Sequence, residues 1–288
     1  MIDFHTHINK GKRSAESVRS HIDTHGGGVS VVLPIDPGPS SSASDEGMSN
    51  EEAIASAESF PNDIVAFCHV DPTHPDAIQR LKSIQKTGIV LGFGEHKVSL
   101  PVDDSRNMEI YELCGQFGWP VLIHMDYTGV YGSNFVALEK VVQSLPGTIF
   151  IGHAMAWWTN ISSSPIIDPN SPEFADYPSG PVLPGGLTDQ LLTEYPNVYG
   201  DLSARSGYYA LLRDKRFGKD FVTRHRKKLL WGTDCPCLDG RGTLPDGTFR
   251  ECLSYFMLPL LQEFCGSVGH YNDITHNNAA RLLGLPTI

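Results

Sequence analysis

Ile2-Asp3-Phe4-His5-Thr6-His7 opens the chain as a short β-rich run that ends in two histidines. Seven further apolar runs come after it, at Val29–Ile35, Ile64–Val70, Ile89–Gly94, Val121–Met125, Thr148–Gly152, Val198–Leu202 and Leu229–Gly232. Between them lie polar stretches of helical character at Ser14–His25, Asn50–Phe60, Pro75–Lys86, Ser105–Phe117, Asn134–Ser144, Leu187–Glu194, Ser206–Arg226 and Arg250–Phe264, and Asp273–Leu283 reads as a closing C-terminal helix. Strands that alternate with helices are repeated βα units of a parallel sheet. Eight of them favour an α/β fold closed as a (β/α)₈ TIM barrel, with room for distortion, over a doubly wound open sheet. Gly26-Gly27-Gly28 precedes a strand instead of following one, so it reads as a helix stop and not a phosphate loop.

The chain has 288 residues, and barrels run to about 250 residues as one unit. No linker with a shift in composition divides it, so the expectation is one domain over residues 1–288. With 40% hydrophobic and 19% charged residues, and no apolar run near the roughly 20 residues that span a bilayer, the chain reads as soluble with no membrane partner. The N-terminal residues lack a secretory pattern, which points to the cytoplasm. Six cysteines are too sparse for a disulfide framework and read mainly as small core residues. A net charge of -11 opposes nucleic acid, and the one basic run, Arg224-His225-Arg226-Lys227-Lys228, reads as a helix C-terminus. The expected partner is a small-molecule substrate, and a homo-oligomer is compatible with the sequence.

Two connections are long, Pro37–Gly47 and the one after the sixth strand, Ala154–Gly186, which carries six prolines and the pair Trp157-Trp158. Long loops in compact domains are often lids or binding loops, and tryptophans are costly to leave in water. Ala154–Gly186 is therefore expected to fold over a site, with Trp157 and Trp158 against the substrate.

Residues two apart on a strand share a face, so His5 and His7 can point into one cavity with metal-ligand spacing. Further ligand-type residues end later strands: Glu95 after Leu91-Gly92-Phe93-Gly94, His124 after Val121-Leu122-Ile123, His153 after Phe150-Ile151-Gly152, and Asp234 after Leu230-Trp231-Gly232-Thr233. The C-terminal ends of barrel strands are where such folds build their sites.

With these residues in view the chain resembles the amidohydrolase superfamily, in particular its amidohydrolase 2 branch of barrel hydrolases, lactonases and decarboxylases. The resemblance spans the chain and rests on Ile2–His7, Val121–His124, Ile151-Gly152-His153, Gly232-Thr233-Asp234 and Asn278-Ala279-Ala280-Arg281-Leu282-Leu283. It implies that His5 and His7 bind a first divalent metal with Asp234, and that His124 and His153 complete that site or hold a second ion. Gly94-Glu95 resembles the Gly-Glu motif that supplies the bridging carboxylate of TatD-like enzymes, although His96-Lys97 replaces the residues that normally come next in those chains. Lys97 shares the face of Glu95, and carboxylated lysines bridge metals in some amidohydrolases.

The chemistry this implies is hydrolysis of a small carboxylate, lactone, amide or ester by water activated on one or two ions. Asp234 serves as the proton acceptor, and His153, where it is not a ligand, as electrophilic helper. Zinc leads among the candidate metals, with manganese, iron and nickel also suited to His and carboxylate donors. Asp201 is a candidate orienter of a metal-bound histidine or a helix cap, and Arg205 a candidate clamp for a substrate carboxylate. Cys235 and Cys237 read as packing residues before soft metal ligands. Non-oxidative decarboxylation is the alternative within the family, and a non-catalytic metal-binding barrel the alternative outside it.

Overall fold

The protein is described by a computed structural model covering residues 1–8, 13–35, 48–126, 131–165 and 177–288. The Pro37–Gly47 connection lies outside the described residues, as does the stretch 166–176 of the later one.

The strands are β1 (Ile2–Thr6), β2 (Val29–Val32), β3 (Ile64–Ala66), β4 (Phe93–His96), β5 (Val121–His124), β6 (Phe150–His153), β7 (Val198–Asp201) and β8 (Leu229–Leu230). All neighbours are parallel, in a three-stranded ladder β1-β2-β3 and a five-stranded ladder β4 to β8. Backbone hydrogen bonds cross both seams. Between the β3 and β4 segments Cys68 N donates to Gly92 O at 3.0 Å and Gly94 N to Cys68 O at 2.8 Å. Between β8 and β1 Phe4 N donates to Trp231 O at 3.0 Å and Asp234 N to His5 O at 2.8 Å. The strands thus close a ring, as the sequence pattern predicts.

The helices are α1 (Ala15–Thr24), α2 (Asn50–Ser59), α3 (Ala77–Gln85), α4 (Ser105–Phe117), α5 (Leu138–Ser144), α6 (Ala154–Thr159), α7 (Leu187–Glu194), α8 (Ala204–Leu212), α9 (Lys215–His225), α10 (Ser254–Cys265), α11 (Val268–Asn272) and α12 (Asn278–Leu283). Caps explain several boundaries. Ser49 and Glu52 form a reciprocal capping box at α2. Asp214 accepts from Phe217 N at 3.0 Å, so the long helix expected over Ser206–Arg226 divides into α8 and α9 at a side chain that competes for the backbone. Among the described residues no helix is long and apolar enough to cross a membrane.

The barrel interior is filled by Ile2, Phe4, Val31, Leu33, Val65, Phe67, Leu122, Ile151 and Leu230, and Ala279, Ala280 and Leu283 of α12 pack onto the same cluster. Asn278 fastens α12 by donating to Arg226 O and Leu229 O, both at 2.7 Å, at the start of β8. A larger cluster fills the layer between sheet and helices. With one end plugged by α12, the ligand-type side chains collect at the strands' C-terminal ends.

The expected placement of Trp157 and Trp158 against the substrate is corrected here, while the middle of the expected lid lies outside the described residues. The chain leaves β6 directly into α6, and Trp157 and Trp158 are buried in the layer between sheet and helices. The Trp157 ring lies on the backbone of β6: a Cβ at Gly152 would fall 2.1 Å from it. Trp158 Nε1 donates to Asp201 O at 2.8 Å and so fixes the end of β7. Tandem tryptophans are costly in water, and here core burial meets that cost. Among the described residues of this connection, Tyr177 lines a cavity at the strand ends.

Candidate metal centre

Register and pleat bring the ligand-type residues together. His5 closes the inward face of β1, and His7 lies two residues later on the same side. The β5–β6 register pairs His124 with His153, which places the two imidazoles side by side. Glu95 lies in β4 and Asp201 ends β7. Asp234 comes after β8 in a left-handed conformation, φ 47°, as do Ala154 at 73° and Ala204 at 59° just beyond β6 and β7. Non-glycine residues in this region are strained, and such strain concentrates at functional sites. Gly232 lets β8 approach β1: a Cβ there would lie 2.9 Å from His5 Cβ and 3.1 Å from Asp201 Oδ1.

The six residues singled out as ligands, His5, His7, Glu95, His124, His153 and Asp234, converge. The two oxygens of Glu95 face different histidine pairs. Oε2 lies 3.8 Å from His5 Nε2 and 3.4 Å from His7 Nε2, whereas Oε1 lies 2.5 Å from His124 Nδ1 and 3.6 Å from His153 Nε2. Asp234 repeats the pattern, with Oδ1 at 3.7 and 3.4 Å from His5 and His7 Nε2 and Oδ2 at 3.9 Å from His153 Nε2.

A second ring of contacts aims the imidazoles. His5 Nδ1 lies 2.7 Å from Asp201 Oδ2, and His153 Nδ1 lies 3.0 Å from that oxygen and 3.0 Å from Ser203 Oγ. His7 Nδ1 donates to Leu33 O at 2.8 Å. Each of these contacts places the proton on Nδ1 and leaves Nε2 a bare lone pair turned inward. Ser203 was not singled out in the sequence, although its place two residues after Asp201 was a usable signal.

The electrostatics fit a cation. His5 Nε2 and His7 Nε2 face each other at 3.0 Å, and two lone pairs at that distance need positive charge between them. Burial opposes ionisation of Glu95, but His124 and His5 outweigh it and hold the carboxyl well below the ordinary range. Burial likewise opposes Asp201 and Asp234, and His5 chief among their neighbours holds both low. Three trios of donor atoms, from His5, His153 and Asp234, from His5, His7 and Glu95, and from Glu95, His124 and His153, each lie within 4.8 Å of one another. Imidazole and carboxylate donors so arranged suit a divalent ion.

Asp234 is the ligand-type residue that opens most to the outside, at 29% exposure, and it forms part of the wall of a cavity of about 290 Å³. Arg205, Tyr208 and Tyr209 from α8 and its start line the same cavity, as do Tyr177, Arg250 and Phe256. Arg205 therefore lies on the same cavity wall as Asp234. Arg250 was missed, since it sits in a loop after β8 with no local motif around it. Lys97 lies over the Tyr131 ring at 5.3 Å, beside His124. Trp157 and Trp158 are not among the residues lining the cavity.

No protein-family model matches the chain, and comparison with curated proteins finds no match. Solved structures do match over nearly the whole length. A probable 2-pyrone-4,6-dicarboxylic acid hydrolase from Acinetobacter baumannii, with citric acid bound, is 14% identical, covers 99% of each chain and has a TM-score of 0.62. An amidohydrolase from Burkholderia multivorans with bound zinc is 14% identical, covers 99% of each chain and has a TM-score of 0.59. A 5-carboxyvanillate decarboxylase from Sphingomonas paucimobilis is 12% identical, again over 99% of each chain, at a TM-score of 0.57. The chain shares the barrel fold of this hydrolase, amidohydrolase and decarboxylase from end to end.

Proposed function

We propose that the protein is a metal-dependent hydrolase, a single barrel domain over residues 1–288 acting in the cytoplasm on a small substrate that carries a carboxylate and a lactone, amide or ester bond. The observation that carries this reading is the divided carboxylate of Glu95, with one oxygen toward His5 and His7 and the other toward His124 and His153. Two ions would be held there, one by His5, His7 and Asp234 and one by His124 and His153, with Glu95 offering an oxygen to each. Zinc is the proposed metal, supported by the nitrogen and carboxylate donors and by the zinc in the Burkholderia multivorans amidohydrolase.

A bound divalent ion brings the pKa of water toward neutrality and polarises a carbonyl oxygen. The remaining work falls to the chain's own side chains. Asp234, held ionised and open to the cavity, takes the proton of the attacking water and returns it to the leaving group. Arg205 and Arg250 on the cavity wall bind the substrate carboxylate and hold the scissile bond toward Asp234. Asp201 and Ser203 keep His5 and His153 in the tautomer that faces inward.

The test is turnover of carboxylate-bearing lactones and amides by the zinc-loaded protein, with carbon dioxide measured in the same vessels. Ring or amide opening without carbon dioxide supports hydrolysis. Stoichiometric carbon dioxide from an aromatic acid overturns it in favour of decarboxylation.

A further inference from the structure

Outside the proposed catalytic centre, three cysteines and a histidine from distant parts of the chain meet in the interior. Cys235 and Cys237 come from the loop after β8, Cys252 from the segment before α10, and His21 from α1. Their three sulfurs and one ring nitrogen all lie within 4.8 Å of one another, and all four residues are buried. Cys252 Sγ is 3.3 Å from His21 Nε2 and Cys235 Sγ is 3.0 Å from Cys237 Sγ. That sulfur separation is far beyond the roughly 2.05 Å of a disulfide. All six cysteines of the chain are free.

We infer that Cys235, Cys237, Cys252 and His21 form a structural zinc site of the Cys₃His type. The donor set is soft and complete: four protein ligands fill a tetrahedron and leave no position for a substrate. Zinc–sulfur bonds of about 2.3 Å set the sulfurs of such a tetrahedron about 3.7 Å apart, within the reach of this cluster.

Two further observations support the inference. Arg13 is buried with Nη1 donating to Cys235 O at 2.7 Å, while its Nε and Nη2 have no hydrogen-bond partner among the described residues. A buried guanidinium needs a counter-charge, and three thiolates around a divalent ion supply one net negative charge beside it. Buried Asp3 lies with Oδ2 3.8 Å from His21 Nδ1, which also lacks a hydrogen-bond partner among the described residues. A carboxylate behind a ligating imidazole is the usual outer partner of such a ligand. Asp3 accepts from Thr233 N at 2.8 Å and from Thr233 Oγ1 at 2.7 Å, so the cluster is tied to the residue before Asp234. The zinc would lock the loop that holds Asp234 in its left-handed conformation.

The inference stands apart from the proposed hydrolase, because its metal is distinguished by sulfur donors. X-ray absorption at the zinc edge on the purified, reduced, full-length protein is expected to show sulfur neighbours at about 2.3 Å that, multiplied by the zinc content, amount to three sulfurs per chain. Replacement by cobalt should give a sulfur-to-cobalt charge-transfer band. Cys237→Ser and Cys252→Ser should each lose that band, whereas His124→Ala should keep it while losing nitrogen- and oxygen-bound metal. Zinc without sulfur neighbours in the wild-type protein would overturn the inference, and that result needs no variant to fold. So would a Cys235–Cys237 disulfide found by mass spectrometry in protein without sulfur-bound zinc.

Discussion

One carboxylate oxygen of Asp201 serves two histidines, at 2.7 Å from His5 Nδ1 and 3.0 Å from His153 Nδ1. Asp201 is fully buried, and its other oxygen accepts from Ser203 N at 2.9 Å, so it cannot turn away from this task. Its backbone carbonyl is held in turn by Trp158. This chain of contacts ends outside the cavity and acts on the centre only through the imidazoles.

Asp201→Asn is therefore expected to weaken metal binding about 10- to 100-fold, as loss of an outer carboxylate does at histidine-ligated metals. Competition against a graded set of chelators measures it. Unchanged affinity would show that the tautomers of His5 and His153 are set elsewhere.

Asp234→Asn keeps the shape of the side chain and suits the left-handed backbone at 47°, which asparagine tolerates well. It removes the proton acceptor, so kcat should fall about 10²- to 10⁴-fold. Stability should stay within about 1–2 kcal/mol by denaturant titration. Near-native turnover would transfer the base role to another group.

Arg205→Gln should raise KM for carboxylate substrates about 10- to 100-fold, the equivalent of one charged hydrogen bond of about 1.5–3 kcal/mol. A neutral analogue of the same substrate should be little affected by the substitution. Equal losses for both would mean that Arg205 shapes the cavity instead of pairing with the substrate.

His69 gives a pH dependence of stability. It is buried against His96, with its Nε2 3.1 Å from His96 Nδ1, and burial lowers its pKa to about 4 despite the opposing fields of Asp71 and Glu95. In the unfolded chain a histidine titrates near about 6.5. Between those values the unfolded state binds a proton that the folded state refuses, so stability rises with pH. The stabilisation is full above about pH 6.5 and is lost as pH falls toward about 4, with a slope near 1.4 kcal/mol per unit. Urea titrations of the metal-free protein at pH 7.5 and 5 should differ, and His69→Gln should reduce that difference by about 2 kcal/mol.

Much of this was legible in the sequence where local pattern and tertiary demand agree. Val121–His124 and Phe150–His153 are apolar runs closed by a ligand-type residue, and the register of parallel strands carries that local order directly into space. Strand four was placed early, at Ile89–Gly94, because its ladder pairing begins only at Phe93 while Leu91 and Gly92 bond across the seam. The tryptophan pair was misjudged because aromatic size says that a side chain must be covered, not by what. The partner of Trp157 is the bare backbone of Gly152, which only the packed structure brings beneath it. Cys252 and His21 lie 231 positions apart, and Arg250 enters the cavity from a loop, so neither meeting leaves a trace in sequence spacing.

Two ions sharing Glu95 would occupy two positions, one on each side of its carboxylate. Anomalous diffraction from crystals of the zinc-loaded protein, compared with Glu95→Gln, tests this arrangement most directly. Two peaks are expected in the wild type, one beside His5 and His7 and one beside His124 and His153, both weakened in the variant while the barrel is unchanged. A single peak beside His5 and His7, retained at full height in Glu95→Gln, would contradict it.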